Sequence, residues 1–439
     1  MSSLNQLLPK LVGADFSLLD YIIEMRLQPI EPDFHIGVTE FQDPILIAKS
    51  TRYSPHIKRP TNQASGAGLD RESMLWSTIG EAIERYAGAF IDQQNIEYKR
   101  FVDIRPDALD PRKVILFSDQ QYESAGFKFQ KFDSELPFGW VQGFNLTQNC
   151  PAYVPAAFAY LGYIPKYEHE VIDNNYSTGL AAGPSLASAT VSGMLEVIER
   201  DAFSCFWLTG ISPPKLDISE QLEQIPTALK KLLEVKHFDY NLRNFTTDIN
   251  VPTVVNMLKS GDEFGFSLGA SSHPKLAQAL KKSVIESFHT FNWVLDIKSS
   301  RASAATPLLD EIESFSDHLA FYLDPRNHSN LDFLYAKSMV EAPKLAKSDF
   351  NHSFADKQEL NSLVRHLETF GLEVFVVDLT TEDVLELGFH VCKVIIPGLQ
   401  PLYCGTGNEH LDTRRLQQFT NACGYQMPAE LNLNPHVFP

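Results

Sequence analysis

The sequence predicts a mixed fold of the α/β or α+β class, and three observations predict it. Short apolar runs of strand character, among them WVQGFNL (140–146), VPTVVNML (251–258), FGFSLGA (264–270), VFVVDL (374–379) and FHVCKVIIPGL (389–399), alternate with long amphipathic stretches. Clusters rich in Gly and Pro punctuate them. Hydrophobic residues make up 44% and charged residues 21% of the 439, which suits a packed core and excludes wholesale disorder.

In chain order, residues 11–50 read as short helical and strand pieces. Residues 52–72 are polar and rich in Gly and Pro and read as a loop. A helix is expected from about Glu72 to Phe90. VILF (114–117) and WVQGFNL (140–146) read as strands between breakers. NNYSTGLAAGPS (174–185) reads as a second small-residue loop, followed by a helix from about Leu186 to Trp207. Two strand candidates then precede a third helix over roughly Lys275–Asp296, and two buried strands follow at 374–379 and 389–399. The last residues, LNLNPHVFP, read as an extended tail, because proline disfavours helix there.

Charge and cysteine content narrow the function. A net charge of −18 repels phosphate backbones, so general nucleic-acid binding is a poor fit. No apolar run reaches the ~18–20 residues of a membrane span, and MSSLNQLLPK lacks the pattern of a secretory signal. A cytoplasmic protein is the expectation, with neither nucleic acid nor membrane as partner. Cys150, Cys205, Cys392, Cys404 and Cys423 are scattered and form no C-x-x-C pair. Each reads as a buried, reduced cysteine.

Chemistry is concentrated in an internal repeat. SGAGLDRESMLWSTIGEAIERYAGAF (65–90) and STGLAAGPSLASATVSGMLEVIERDAF (177–203) each run from small residues into a helix carrying S-x-x-x-E-x-x-E-R. The first copy places Ser77, Glu81, Glu84 and Arg85; the second places Ser192, Glu196, Glu199 and Arg200, with a constant offset of 115. At roughly 100° per residue the four polar residues share an arc of about 100°. Leu75, Ile79, Ile83 and Tyr86 lie on the opposite side, as do Met194, Val197 and Ile198.

One such helix would pass for a solvated surface, since Glu–Arg pairs at i,i+4 are common. Two copies with the same identities point instead to a shared site. Carboxylates offer hard oxygen ligands to Mg²⁺, which also takes phosphate oxygens, and arginine offers planar donors to phosphate. A fainter third unit, GFSLGASSHPKLAQALKKSVIESFHTF (265–291), places Glu286 where the others have Glu84 and Glu199, with Ser287 in place of arginine. No P-loop, G-x-S-x-G elbow or H-E-x-x-H occurs, and GAG (66–68) and GTG (405–407) do not extend to a dinucleotide fingerprint. A carboxylate di-iron site would need Glu-x-x-His, whereas the third position here is Glu84 or Glu199. His273, His289, His390 and His410 read as ordinary surface or core histidines.

The doubled signature resembles the ATP-binding motif of YcaO-domain proteins, usually written Q-x-x-x-E-x-x-E-R in the second copy. The flanking small-residue segments match as well, as do GASSHPKLAQAL, KVIIPGLQPL and Arg414-Arg415-Leu416. Ser192 departs from the usual glutamine. The resemblance covers about residue 50 to the end. It implies an N-terminal segment (1–50) and a YcaO-like catalytic domain (51–439) ending in a tail (431–439), with repeated units packed on β-sheets around an Mg²⁺–ATP site. Azoline-forming members, the D component of streptolysin-type clusters, tend to end in P-x-P-x-P. Here Pro435, His436, Val437, Phe438 and Pro439 keep the outer prolines, while Val437 takes the central place.

The resemblance therefore implies an ATP-dependent cyclodehydratase that converts Cys, Ser or Thr of a ribosomal precursor peptide to thiazoline or oxazoline. ATP and Mg²⁺ are the implied cofactors. Glu81, Glu84, Glu196 and Glu199 would hold the metal. Ser77, Arg85, Ser192, Arg200 and Glu286 would complete the nucleotide site, and Pro435, His436, Phe438 and Pro439 would order the reacting peptide. Only about 50 residues precede the YcaO-like region, so the leader-binding, ubiquitin-activating-like partner is expected as a separate chain. An FMN-dependent azoline dehydrogenase and a homodimer are further implied partners. The alternatives are a family member making thioamides or amidines, and a non-catalytic docking scaffold.

Overall fold

The structure, a computed structural model, describes residues 4–13, 17–44, 62–174, 176–219, 222–223, 225–261, 264–301, 306–339 and 356–438. Among these, twelve strands form three sheets. The first holds β1 (Leu19–Glu24), β2 (His35–Phe41) and β3 (Gln63–Gly68) in that order. The largest holds β4 (Glu97–Arg100), β5 (Pro137–Asn145), β6 (Cys150–Pro155) and β7 (Leu180–Gly183), together with β11 (Phe375–Asp378) and β12 (His390–Ile395). Its path is β4-β5-β11-β12-β7, with β6 also paired to β5. The third holds β8 (Asp239–Asn244), β9 (Thr253–Lys259) and β10 (Phe266–Ser272) in the order β10-β9-β8. Every strand ladder is antiparallel, which resolves the mixed class as α+β.

Five described helices have ten or more residues: α1 (Arg71–Ala89), α2 (Leu186–Thr209), α3 (Leu276–Ser300), α4 (Asp356–Glu368) and α5 (Arg414–Cys423). The first three coincide with the expected helices. Each follows an edge strand of a different sheet: β3 leads into α1, β7 into α2 and β10 into α3. The caps of the first two also repeat. Asp70 and Ser73 form a capping box on α1, and Ser185 and Ser188 form one on α2. Gly210, in the left-handed region at φ 62°, closes α2. The faces deduced from helical arithmetic are buried as expected: Ile79, Ile83 and Tyr86 on α1, and Met194, Val197 and Ile198 on α2.

Four local expectations need correction. The loop expected over 52–72 contains β3 at Gln63–Gly68 (its part at 52–61 lies outside the described residues), and the loop expected over 174–185 contains β7 at Leu180–Gly183. Small residues conceal these strands, because strands usually announce themselves by bulky branched and aromatic side chains. The small residues are there for close approach. A Cβ on Gly66 would collide with the backbone of Ser77 and Thr78, and one on Gly269 with the backbone of Ser283 and Ser287. VILF (114–117) is not a strand; Ile115, Leu116 and Phe117 are buried through side-chain packing, and Phe117 stacks on Phe129 and His410. Among the cysteines, all free, Cys205, Cys392 and Cys404 are buried as expected, but Cys150 and Cys423 are partly exposed.

The chain's last turn of structure folds back inward. Arg415 on α5 is buried and pairs with Asp201 (2.7 Å) on α2 and with Asp248 (2.8 Å). The segment after α5 then runs along α2, where Asn432 N–H donates to Leu208 O at 2.7 Å. No helix among the described residues is long and apolar enough to cross a membrane.

Candidate functional site: a carboxylate row and a buried tail

The three strand–helix units bring their acidic residues together. Glu81 on α1 pairs with Arg85 at 2.6 Å, and Glu196 on α2 pairs with Arg200 at 2.7 Å, the same i,i+4 contact in both repeats. Each glutamate also takes a backbone N–H from the segment before its helix: Glu81 from Ser65, and Glu196 from Gly179 at 2.9 Å. The arginines reach back too. Arg85 approaches Gln63 O at 3.5 Å, and Arg200 donates to Thr178 Oγ1 at 2.7 Å.

The second glutamate of each pair joins the units. Glu84 lies within electrostatic reach of Glu81 and of Glu196. Glu199 accepts Ser272 N–H at 3.1 Å on β10 and lies near Glu196 and Glu286. Glu286 on α3 accepts Ala270 N–H. Glu81, Glu84, Glu196, Glu199 and Glu286 thus form one row across three helices, as the repeat implied. Ser77 and Ser192 stand one turn earlier on α1 and α2, where both are exposed.

Like charges in a partly enclosed row resist ionisation. Burial, then the charges of Glu196 and Glu81, push the Glu84 carboxyl well above the ordinary range. Burial, then Glu286 and Glu196, do the same to Glu199. Burial raises Glu286 to about 7, and raises Glu81 despite Arg85.

Two cations bordering the row were not among the expected site residues. Lys393 on β12 is buried, donates to Tyr176 O at 2.6 Å, and lies within reach of Glu196, Glu84 and Asp173. Its burial lowers its pKa to about 8. Lys282 on α3 stands near Glu199 and Glu286. His289, one turn past Glu286, is held down to about 4 by burial and by Arg85. The periodicity that located the glutamates could have found Lys282 and His289. Nothing local marks Lys393, which sits in an apolar strand.

The donor set fits Mg²⁺ with a nucleotide. The row supplies oxygen ligands and no thiolate. Among the described residues no three His, Cys, Asp or Glu side chains already converge as a complete metal cage. Mg²⁺ usually takes one or two carboxylates and fills the rest of its shell with phosphate oxygens and water. Arg200 Nε is buried without a partner in the structure, an orphaned donor beside a row that needs positive charge.

The tail, by contrast, is fully docked. Pro435, His436, Val437 and Phe438 are buried, while Pro439 lies outside the described residues. Side-chain donors from α2 and from the short helix Phe315–Phe321 with its C-cap take successive carbonyls: Trp207 Nε1 to Asn434 O (3.0 Å), Tyr322 OH to Pro435 O (2.6 Å) and His318 Nδ1 to His436 O (3.0 Å). His318 Nε2 accepts Gly405 N–H at 3.0 Å, which fixes the tautomer with its proton on Nδ1. His436 Nε2 lies 2.7 Å from Tyr403 O. Burial depresses His318 to about 4 and His436 well below the usual imidazole range. Phe438 packs on Phe203 with centroids 4.7 Å apart, and its ring lies 6.0 Å from the Arg200 guanidinium carbon. Row and tail therefore meet at Arg200.

Comparison with known proteins agrees with this architecture. A heterocyclase solved in complex with substrate and cofactor superposes with a TM-score of 0.78 at 20% identity, covering 100% of this chain and 57% of that one. The Escherichia coli microcin synthetase McbBCD complex with pro-MccB17 bound gives a TM-score of 0.64 at 15% identity, with 95% of this chain and 96% of that chain covered. At these identities the likeness establishes the fold. The Escherichia coli ribosomal protein S12 methylthiotransferase accessory factor YcaO is 21% identical over 427 residues, which are 89% of this chain and 66% of that protein. The chain thus spans just under two thirds of that relative's length. The family model described as YcaO cyclodehydratase, ATP- and Mg²⁺-binding, matches residues 65–400, from the start of the first repeat to the end of KVIIPGLQ. The chain belongs to the YcaO family, whose cofactors are ATP and Mg²⁺.

Proposed function

We propose that this protein is an ATP-dependent cyclodehydratase acting on Cys, Ser or Thr of a ribosomally made precursor peptide. The observation that carries the reading is the meeting of the carboxylate row with the buried tail at Arg200. Family membership and the heterocyclase fold support it.

The peptide's thiol or hydroxyl adds to the preceding backbone carbonyl and forms a hemiorthoamide. Its oxygen attacks the γ-phosphorus of ATP, and the bond to ADP breaks. The nitrogen then loses its proton as the carbon–oxygen bond breaks, releasing phosphate and leaving the C=N of the azoline. The sum is peptide plus ATP to azoline peptide, ADP and phosphate. Phosphorylation is needed because an amide oxygen is a poor leaving group. Such transfers depend chiefly on positioning and charge neutralisation.

Glu81, Glu84, Glu196 and Glu199 would hold Mg²⁺, which supplies charge neutralisation at the phosphates. Arg85 and Arg200 would bind phosphate oxygens, with Ser77, Ser192 and Glu286 bordering the nucleotide. Pro435, His436, Phe438 and Pro439 would order the reacting amide. A leader-binding partner chain, an azoline dehydrogenase, a homodimer and a cytoplasmic location belong to the same proposal. The charge of −18 accords with the absence of nucleic acid among the partners.

The test is phosphate release from ATP–Mg²⁺ with the candidate peptide and partner, following peptide mass in parallel. Peptide-stimulated release with a loss of about 18 Da per ring is expected. A mass change matching a thioamide or amidine would move the protein to another YcaO chemistry. An absence of turnover with every peptide would favour a docking scaffold.

A further inference from the structure

We infer that Lys393 is a positioning residue of the nucleotide site, fixing the 176–179 loop so that Arg200 and Glu196 stay aimed at the phosphates. The inference rests on the nucleotide reading above and goes beyond the doubled glutamate signature, which does not include this lysine.

The loop is held by charged side chains at several points. Upstream of it, Asp173 accepts from His410 Nε2 at 2.8 Å. Lys393 Nζ donates to Tyr176 O at 2.6 Å. Thr178 Oγ1 accepts from Arg200 at 2.7 Å, and Gly179 N–H donates to Glu196 at 2.9 Å. These last two contacts orient the arginine and the first glutamate of the second repeat. Both come from backbone-adjacent groups on one short loop, so their geometry depends on where that loop stands. Gly179 has φ 80°, and a Cβ there would strike the backbone carbonyl of Val394, the residue after Lys393. Strand β12 and the loop are therefore pressed together, and the ammonium group is the polar bolt across that contact.

The lysine's environment shows that it is there for charge as well as for packing. It is buried on a strand whose neighbours Val391, Cys392 and Val394 are apolar, a costly place for a cation. Its compensation is the pair Glu84 and Glu196, one from each repeat, with Asp173. An apolar residue would fit the strand equally well, but it would leave the Tyr176 carbonyl without its donor and take away one of the positive charges, beside Arg85 and Arg200, that face the two carboxylates. Outer partners of this kind typically change affinity or activity about 10–100-fold when removed.

Lys393→Met keeps the length of the side chain and removes the charge and the donor. Binding of the non-hydrolysable analogue AMPPCP with Mg²⁺, measured by calorimetry, is expected to weaken at least about tenfold. Lys393→Arg is expected to recover most of that loss, which a purely space-filling role would not predict. In the ligand-free protein, hydrogen exchange at Tyr176–Leu180 is expected to speed up in Lys393→Met. Should Lys393→Met fail to fold, Thr178→Val decides: it cuts the Arg200 anchor on the same loop and is expected to weaken AMPPCP–Mg²⁺ binding in the same direction. Wild-type affinity in a folded Lys393→Met, or in Thr178→Val, overturns the inference and leaves the proposed function standing. Failure of wild type to bind AMPPCP–Mg²⁺ overturns the nucleotide reading itself.

Discussion

The carboxylate row and the tail pocket share Arg200, yet they manage charge in opposite ways. The row gathers five glutamates, of which Glu84, Glu199 and Glu286 are pushed up by burial and by neighbouring carboxylates, and it borders a buried donor on Arg200 without a partner. The tail pocket satisfies three consecutive carbonyls, each holding a side-chain donor, and keeps two imidazoles neutral. An arrangement with excess carboxylate is suited to an exchangeable ligand that brings its own cation. An arrangement with matched neutral groups is suited to a permanent one, and here that is the chain's own end.

The largest expected effect tests the row. Glu84→Ala removes the carboxylate that links the two repeats, and ATP turnover is expected to fall by about a hundredfold or more, on the scale of losing one key electrostatic contact. Steady-state phosphate release measures it, and unchanged turnover would remove Glu84 from the metal site. Removing everything after Asn434 is expected to abolish peptide cyclisation while AMPPCP–Mg²⁺ binding survives within about tenfold, since the tail's carbonyls bond to Trp207, Tyr322 and His318 and not to the carboxylate row. Loss of both would show that the two regions form one unit.

Next comes stability in the tail pocket. Phe438 is buried against Phe203, so Phe438→Ala is expected to destabilise the protein by about 3 kcal/mol, as for other buried Phe→Ala changes. Denaturant midpoints read this directly.

The two regions should also answer pH with opposite signs. Glu286 titrates near 7 when folded, above its ordinary 4.5. Between those values the folded chain holds the extra proton, so this contribution is present at acid pH and is lost as pH rises through about 7. His318 is depressed from 6.5 to about 4. The unfolded chain takes that proton first, so the tail pocket loses stability as pH falls from about 6.5 toward 4, by up to about 3 kcal/mol. The two contributions oppose each other over about pH 4.5–6.5, so denaturation midpoints of the wild type are expected to vary less across that window than either variant's. Glu286→Gln should make the midpoint rise more steeply with pH and His318→Gln should make it fall; if neither variant tilts the profile in its direction, the assignment of those contributions fails. Mg²⁺ binding should strengthen as pH rises over the same window, because it displaces protons from the carboxylates.

The smallest effect is expected at the serines. Ser77 and Ser192 are both exposed, so Ser77→Ala and Ser192→Ala are expected to change nucleotide affinity less than about tenfold, a loss of one hydrogen bond. A larger loss in Ser192→Ala would show that it substitutes fully for the family's usual glutamine.

Much of this site could be read from local spacing. Glu81, Glu84 and Arg85 share a face because helix geometry makes them share it, and a helix of this length forms wherever its opposite face is apolar enough to bury. The same arithmetic at an offset of 115 placed Glu196, Glu199 and Arg200, and the faint third copy placed Glu286. What periodicity could not show was that Gln63–Gly68 and Leu180–Gly183 are strands. Their small residues carry little strand propensity of their own and make sense only when a helix is pressed against them.

The amino-acid pattern by itself therefore determined the three helices, their charged faces and their kinship, because those properties depend on residues a few positions apart. Tertiary structure alone decided that the carboxylates form one row, that Lys393 reaches Tyr176 from more than two hundred residues away, and that the tail is buried rather than frayed. These contacts join residues distant in sequence, and such pairings are selected by the packing of the whole core rather than by any local preference.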